Sequence, residues 1–452
     1  MGERAQLALL ALVSGLATAA ILAGGVGASG QSPEVTAALR VARTTTVALP
    51  AAAPVATVEE TDDAEPPEAP DDGDELAAAA ESSGDDAPAT TAPDDSDSDD
   101  SGDQETTTPK ATNKSTKKEP AAAEPRPTHV KHVFEIVLAG RGFDATFGAG
   151  SVATYLNGTL RPKGTLLTGA HSLGRADLPD HLALVSGQPP NDDTRAGCAT
   201  YSEIPQTAKP NKAGEITAKG CAYPNTVITI ADQLAAAGST WRAYVEDLDK
   251  SQPPRTSCRR PASGAVDDTV AARPGDGYAT RHNPFVYFHS LLDLSGCDSF
   301  DGPLAQLETD LTKVKTTPAF SYIVPNLCND GTASPCADGS PGGTAAADAF
   351  LATWVPRILA SPAYADDGLL LVTFAGGAAA PEAPEAPVRN GALVVSRFAT
   401  AGAADDTEID PYGLLRTVQD VLALKPLARS ADATSLLDTV LAAARIARPG
   451  DD

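Results

Sequence analysis

The sequence predicts an α/β fold, an α/β/α sandwich around a mostly parallel sheet. Two observations carry this. Strand-like runs alternate with amphipathic helical runs from about residue 129 onward, the pattern of a parallel sheet with helices on its faces. The run 369–374, LLLVTF, is apolar throughout and ends at Ala-Gly-Gly, as a strand buried on both faces should.

In chain order, HVFEIVLAG (132–140) reads as a strand ending in Ala-Gly, and PDHLALVSG (179–187) as a short helix. NTVITIADQLAAAG (225–238) reads as an amphipathic helix with a glycine stop, followed by the strand STWRAYVED (239–247). AFSYIVPN (319–326) is a strand, and GGTAAADAFLATWVPRILAS (342–361) a helix kinked or broken at Pro356. LLLVTF (369–374) and GALVVSRF (391–398) supply two more strands. YGLLRTVQDVLAL (412–424) and ATSLLDTVLAAARIA (433–447) supply two more helices. There is no internal repeat.

The chain has 452 residues and a formal charge of −26. Twenty acidic residues and no Lys or Arg fall between Glu59 and Glu105, so the remainder carries only −6. No basic patch argues for nucleic acid. Residues 44–128 are rich in Ala, Pro, Thr, Ser, Asp and Glu and nearly devoid of large apolar groups. Such a segment cannot bury enough surface to offset its ordering and is expected to be a disordered tether. Lys110, Lys114, Lys117 and Lys118 follow the acidic block, where they can pair with it, touch an anionic envelope polymer, or simply be solvated. A polyanionic spacer or cation buffer is a third reading of this segment's own role.

The apolar run Leu7–Ala28 is 22 residues long, enough to span a bilayer, and ends in the small residues Val26-Gly27-Ala28. It fits a signal peptide cleaved before Ser29 and equally an N-terminal membrane anchor at 1–28. Both imply export, and an uncleaved segment would make the membrane a partner. Six cysteines, Cys198, Cys221, Cys258, Cys297, Cys328 and Cys336, agree with an oxidising compartment: the count is even, without CxxC or zinc spacing. Fifteen connectivities are possible for three disulfides. Pairing in order is preferred, because each successive pair flanks a loop-like stretch. Asn113-Lys114-Ser115 and Asn157-Gly158-Thr159 fit the glycosylation sequon, a pattern that arises often by chance.

Seven segments, VKHVFEIVLAGRGFD, YLNGTLRPKGTLLT, LPDHLALVSGQPPN, TIADQLAAAGSTWRAYVED, RHNPFVYFHSLL, FSYIVPNLCND and YGLLRTVQDVLAL, occur in that order over about residues 130–430. Together they resemble the bacterial phosphoesterase family that includes phospholipases C and acid phosphatases. That resemblance implies an alkaline-phosphatase-like fold and hydrolysis of phosphate esters by bound metal and a hydroxyl nucleophile. Such chemistry needs cations to neutralise the phosphoryl charge and a caged nucleophile.

At the positions where the resemblance implies these groups, the side chains differ. The family's Glu-Asn after the first strand is Ala139-Gly140, ahead of a retained Phe143-Asp144. Its His-Pro-Ser-Leu-Pro-Asn is Arg175-Ala176-Asp177-Leu178-Pro179-Asp180, with Asp177 in the nucleophile's place. A His-Asp pair expected after Asp330 is absent from Gly331-Thr332-Ala333-Ser334, and Thr-Trp-Asp-Glu becomes Thr373-Phe374-Ala375-Gly376. Pro411 stands where relatives commonly carry His.

The remaining candidates have two readings each. Asp177 is a nucleophile or lone metal ligand, or else the N-cap of a helix starting at Leu178, with Asp180 at the third position in capping-box style. Arg175, with Arg141, binds an anion at that helix start or is an ordinary surface arginine. Asp330 is a cation ligand or a turn residue, Asp348 a retained carboxylate, and His282 a catalyst or a packed side chain. His171 and His181 lack metal-ligand spacing. The expectation is a pseudoenzyme acting by binding an envelope ligand or protein, or structurally, with no cofactor. The alternative is an active phosphoric-ester hydrolase with a rearranged site, requiring a divalent metal.

Overall fold

The computed structural model describes residues 128–294, 296–377 and 383–446. The apolar run 7–28 and almost all of the segment 44–128 lie outside them, and so does Asn113. Eight strands form one sheet: β1 His132–Ala139, β2 Thr165–Leu167, β3 Trp241–Val245, β4 Asp301–Pro303, β5 Phe320–Val324, β6 Gly368–Ala375, β7 Ala392–Ser396 and β8 Ala404–Asp405. Their order is β4-β3-β5-β1-β6-β7-β2-β8. β7 runs antiparallel to both β6 and β2, and every other neighbouring pair is parallel.

β1 is central, and its alternation builds two cores. Val133 and Val137 face one, closed by the helices Leu178–Ser186, Ile230–Ala236 and Pro411–Val421 through Leu182, Ile230 and Leu415. Phe134, Ile136 and Leu138 face the other, closed by Phe350, Leu351 and Val355 of the helix Thr344–Leu359. The helices thus cover both faces, as the alternating pattern requires.

Several boundaries differ from expectation. The helix Thr344–Leu359 passes Pro356 without a break. Pro356 and Ala352, whose carbonyl loses its partner, are both exposed, so water can serve that carbonyl while Val355 and Ile358 anchor the last turn. The described part of the segment 433–447, residues 433–446, is not an α-helix. It makes two short 3-10 turns, Leu436–Asp438 and Ala442–Ala444. Tertiary contacts override its helical pattern: the Leu436 amide donates to Thr417 Oγ1 at 2.9 Å, and Leu436, Leu437 and Leu441 are buried. The helix expected over 225–238 covers only Ile230–Ala236. Its start is fixed by Thr229 and Asp232, each side chain bonding the other's backbone amide. β2, β4 and β8 have two or three residues each, too few to show a period.

The disulfides join Cys198–Cys221, Cys258–Cys297 and Cys328–Cys336, the in-order pairing. Three disulfides fit an oxidising, extracytoplasmic compartment. Among the described residues no helix is long and apolar enough to cross a membrane. The sequon residue Asn157 donates its side-chain amide to the Thr146 and Ala153 carbonyls at 2.9 and 3.0 Å, which ties it into the fold.

Candidate active-site cleft at the strand tips

β1 and β6 lie side by side with Ala139 opposite Ala375, so both carboxyl ends open on one side of the sheet, the usual place for a site in such folds. A cleft of about 930 Å³ opens there, and its walls include Ala139, Gly140, Arg141, Arg175, Asp177 and Arg281. Of the sequence-derived positions, Ala139, Gly140, Arg141, Arg175, Asp177 and Ala375 line it.

What fills the strand tips is backbone. The Gly140 amide donates to the Ala375 carbonyl at 2.7 Å, and the Gly377 amide to the Arg175 carbonyl at 3.1 Å. Asn390 clamps the two tips. Its amide donates to the Gly376 carbonyl at 2.7 Å, and its oxygen accepts from the Gly142 amide at 3.1 Å. A Cβ on Gly140 would sit 2.2 Å from the Gly376 carbonyl oxygen and 2.4 Å from Asn390 Nδ2. Gly376 itself has φ +64°, and a Cβ there would meet the Arg175 carbonyl at 2.7 Å.

The helix Leu178–Ser186 presents the opposite wall. Asp177 is its N-cap, accepting from the Leu178 amide at 2.8 Å through Oδ1. Oδ2 accepts from Arg281 Nε at 2.8 Å and contacts His282 Nε2 at 3.0 Å. Burial pushes this carboxyl up, but the His282 hydrogen bond and the Arg281 charge overcome it and hold it well below the usual carboxylate range.

Asp180 does not complete a capping box. Its carboxyl turns away from the helix start to accept from the Leu173 amide at 2.8 Å and the Gly376 amide at 2.6 Å, tying the helix to the β6 tip. Burial raises its pKa to about 8.

His282 is buried, and its Nε2 faces two carboxylates, Asp177 Oδ2 at 3.0 Å and Asp330 Oδ2 at 3.6 Å. Its ring stacks on His181 at 5.1 Å, and His181 Nδ1 meets the Tyr322 hydroxyl at 2.7 Å. Burial, then the neighbouring His282, lowers the His181 pKa to about 3, so His181 is a neutral packing partner.

Asp330 is indeed a turn residue: its carboxylate takes the Thr332 amide at 2.6 Å and hydroxyl at 2.7 Å. Asp348 belongs elsewhere. It accepts from the Tyr155 and Leu156 amides, both at 2.8 Å, and holds the turn at 154–160. His171 lies beside exposed Glu408, away from this cluster. Pro411 starts the helix Pro411–Val421, capped by Asp410.

Four guanidiniums line the cleft. Arg281 is paired with Asp177 and Arg195 with Glu385, while Arg141 and Arg175 are exposed and make no ion pair among the described residues. Sequence reading missed Arg281, although it adjoins His282, and Asn390, which carries no sequence signal.

The donor set does not fit a metal centre. Ala139, Gly140, Ala375 and Gly376 offer no side-chain ligand atom, and Asp177, His282 and Asp330 are already engaged. Among the described residues, the one group with three ligand atoms within 4.8 Å is Cys258, Cys297 and Asp301, whose sulfurs form a disulfide.

Residues 150–425 match the phosphoesterase family, well over half of the chain, and the chain belongs to that family. The β1 tip precedes the matched region. No curated protein gives a significant match. Among solved structures, the chain is similar to a protein in the alkaline phosphatase superfamily from Vibrio parahaemolyticus (13% identity, 68% of this chain and 70% of that one, TM-score 0.40). It is also similar to a phosphonate monoester hydrolase from Silicibacter pomeroyi (11% identity, 71% and 78%, TM-score 0.38). A third is a sulfatase from Pseudoalteromonas sp. (12% identity, 72% and 74%, TM-score 0.42).

Proposed function

We propose that this member of the phosphoesterase family is a non-hydrolysing, exported domain that binds an anionic ligand of the cell envelope in the strand-tip cleft. The observation that carries the reading is the filling of the β1 and β6 tips by backbone. At Gly140, where the resemblance implies a metal-site side chain, even a methyl group would lie 2.2 Å from a carbonyl oxygen. Restoring a ligand there requires the tips to move apart, so the change is more than a substitution of side chains. The free Arg141 and Arg175 supply the charge for an anion, and the Arg281–Asp177 pair fixes the wall beside them. Export rests on the apolar run 7–28 together with three disulfides. The segment 44–128 would then be a tether between the N-terminal segment and the domain.

The second reading, an active phosphoric-ester hydrolase with a rearranged site, is favoured by one arrangement: Asp177 and Asp330 both approach His282 Nε2. Against it, Asp177 Oδ2 is already shared by Arg281 and His282, which weakens it as a nucleophile. The test is calorimetric titration of the full, disulfide-bonded chain with calcium, magnesium, manganese and zinc, with elemental analysis of the purified protein. The expected result is no stoichiometric binding at millimolar metal and no turnover of phosphomonoester or phosphodiester substrates. Tight binding of one ion that disappears in Asp177→Ala would instead establish the hydrolase reading.

A further inference from the structure

A second basic site lies outside the strand-tip cleft. The sequence singles out only the lysines at 110–118 as a basic cluster, yet residues 250–260, KSQPPRTSCRR, hold four cations and no carboxylate in a chain of net charge −26. The fold gathers these residues around a pocket of about 430 Å³, lined by Lys250, Arg255, Arg259, Arg260 and Arg273 against only Asp268 and Asp276. The Cys258–Cys297 disulfide staples this loop to the domain next to Arg259.

The five cations have different tasks. Arg259 is buried and forms the floor: its terminal nitrogens meet the Asp276 carboxylate at 2.8 and 2.6 Å and the Asp247 carbonyl at 3.0 Å, and its guanidinium lies 4.5 Å from the Tyr278 ring centre. Arg273 is paired with Asp268 at 3.2 Å. The two carboxylates that line the pocket are therefore already matched by two arginines. Arg255 has no ion-pair partner among the described residues. Lys250 has only its sequence neighbour Asp249, at 3.8 Å and in solvent, where such a contact contributes little. Half-buried Arg260 lies against the Tyr201 hydroxyl and makes no ion pair among the described residues.

We propose that this pocket is a separate binding site for a tetrahedral oxyanion, a phosphate or sulfate group, gripped by Lys250, Arg255 and Arg260 above the fixed Arg259–Asp276 floor. Arg255 and Arg260, with Lys250 held only by a solvent-exposed contact, surround one concave space and favour a doubly charged anion, and a floor locked by a two-point ion pair keeps them from collapsing onto the carboxylates that line it. The site is distinct from the strand-tip cleft. The segment 268–281 walls both, with Thr280 facing this pocket and Arg281 the other. The proposal does not depend on whether the cleft binds or hydrolyses anything.

The experiment titrates the full chain calorimetrically with inorganic phosphate and, separately, with sulfate, at low ionic strength. The double variant Lys250→Glu/Arg255→Glu changes two solvent-facing side chains. It should weaken binding at this site at least tenfold, whereas Arg141→Ala/Arg175→Ala should leave the site intact. The charge-conserving Lys250→Arg/Arg255→Lys should bind like the parent. Loss of both anions in the Glu variant assigns the site to either group, and loss of one alone names the source. Parent-like binding in the Glu variant, no binding by the parent, or binding abolished only by Arg141→Ala/Arg175→Ala would overturn the proposal.

Discussion

The two walls of the strand-tip cleft are closed in different ways. At the β1 and β6 tips there is almost no side chain. Ala139, Gly140, Ala375 and Gly376 bring backbone against backbone, and Asn390 clamps the seam. On the helix wall Asp177 and Arg281 pair, and a chain of contacts runs from them to His282 and Asp330 buried behind. The first wall is closed by steric contact and the second by mutual neutralisation. A catalytic metal site needs open space with under-satisfied donors facing it. The cleft has the space, but one wall lacks donors and the other has already matched them.

The contrast can be broken most forcefully at the glycine seam. Gly140→Ala should destabilise the domain by on the order of 4 kcal/mol, because the new methyl meets a carbonyl and the Asn390 amide, both hydrogen-bonded in place. Thermal unfolding should show this as a clear drop in Tm, and an unchanged Tm would mean that the seam yields. On the helix wall, Arg281→Ala leaves Asp177 without its guanidinium. It should cost about 3 kcal/mol in denaturant unfolding, with Arg281→Lys recovering part of the loss.

A third effect lies beneath both walls. Glu135 sits mid-strand in β1, opposite Tyr322 and Leu371, fully buried, with Oε1 lacking any partner. Burial pushes its carboxyl from 4.5 up to about 8. Between these values the folded state holds a proton that the unfolded chain has released. Its contribution is therefore complete below pH 4.5 and is lost as pH rises through about 8. Glu135→Gln should remove up to about 1.4 kcal/mol per pH unit of slope across that window, measured by denaturant midpoints from pH 5 to 8. Asp180, also raised to about 8, should leave a residual slope in the same direction. The smallest effect is expected at the rim, where Asp410 caps the helix behind Pro411 by accepting from the Gly413 amide at 2.9 Å. Asp410→Ala should cost about 1 kcal/mol without changing ligand binding.

These regions also differ in how far they can be read from sequence. β1, β3, β5, β6 and β7 were legible because a strand buried on both faces is predominantly apolar. The cysteines were legible as an ordered set of loop staples. Asp177 as a cap and Asp330 as a turn residue follow from local chemistry, since each bonds an amide one or two residues away. Asp180 looked equally local, but its carboxyl bonds the Gly376 amide 196 residues distant, and no local pattern encodes that partner. Glu135 left a signal, a lone carboxylate inside an apolar strand, that went unused.

By itself the sequence determined the fold class, the even set of six cysteines and the absence of donor side chains at the strand tips. All three depend on residue type and period, which survive without coordinates. Only the tertiary structure decided that Gly140 has no room for a side chain, that Asp177 is held by Arg281, and that a basic pocket forms at residues 250–276. Those outcomes depend on which distant atoms come within a few ångströms of one another, and sterics and Coulomb interactions act on distance in space rather than on separation along the chain.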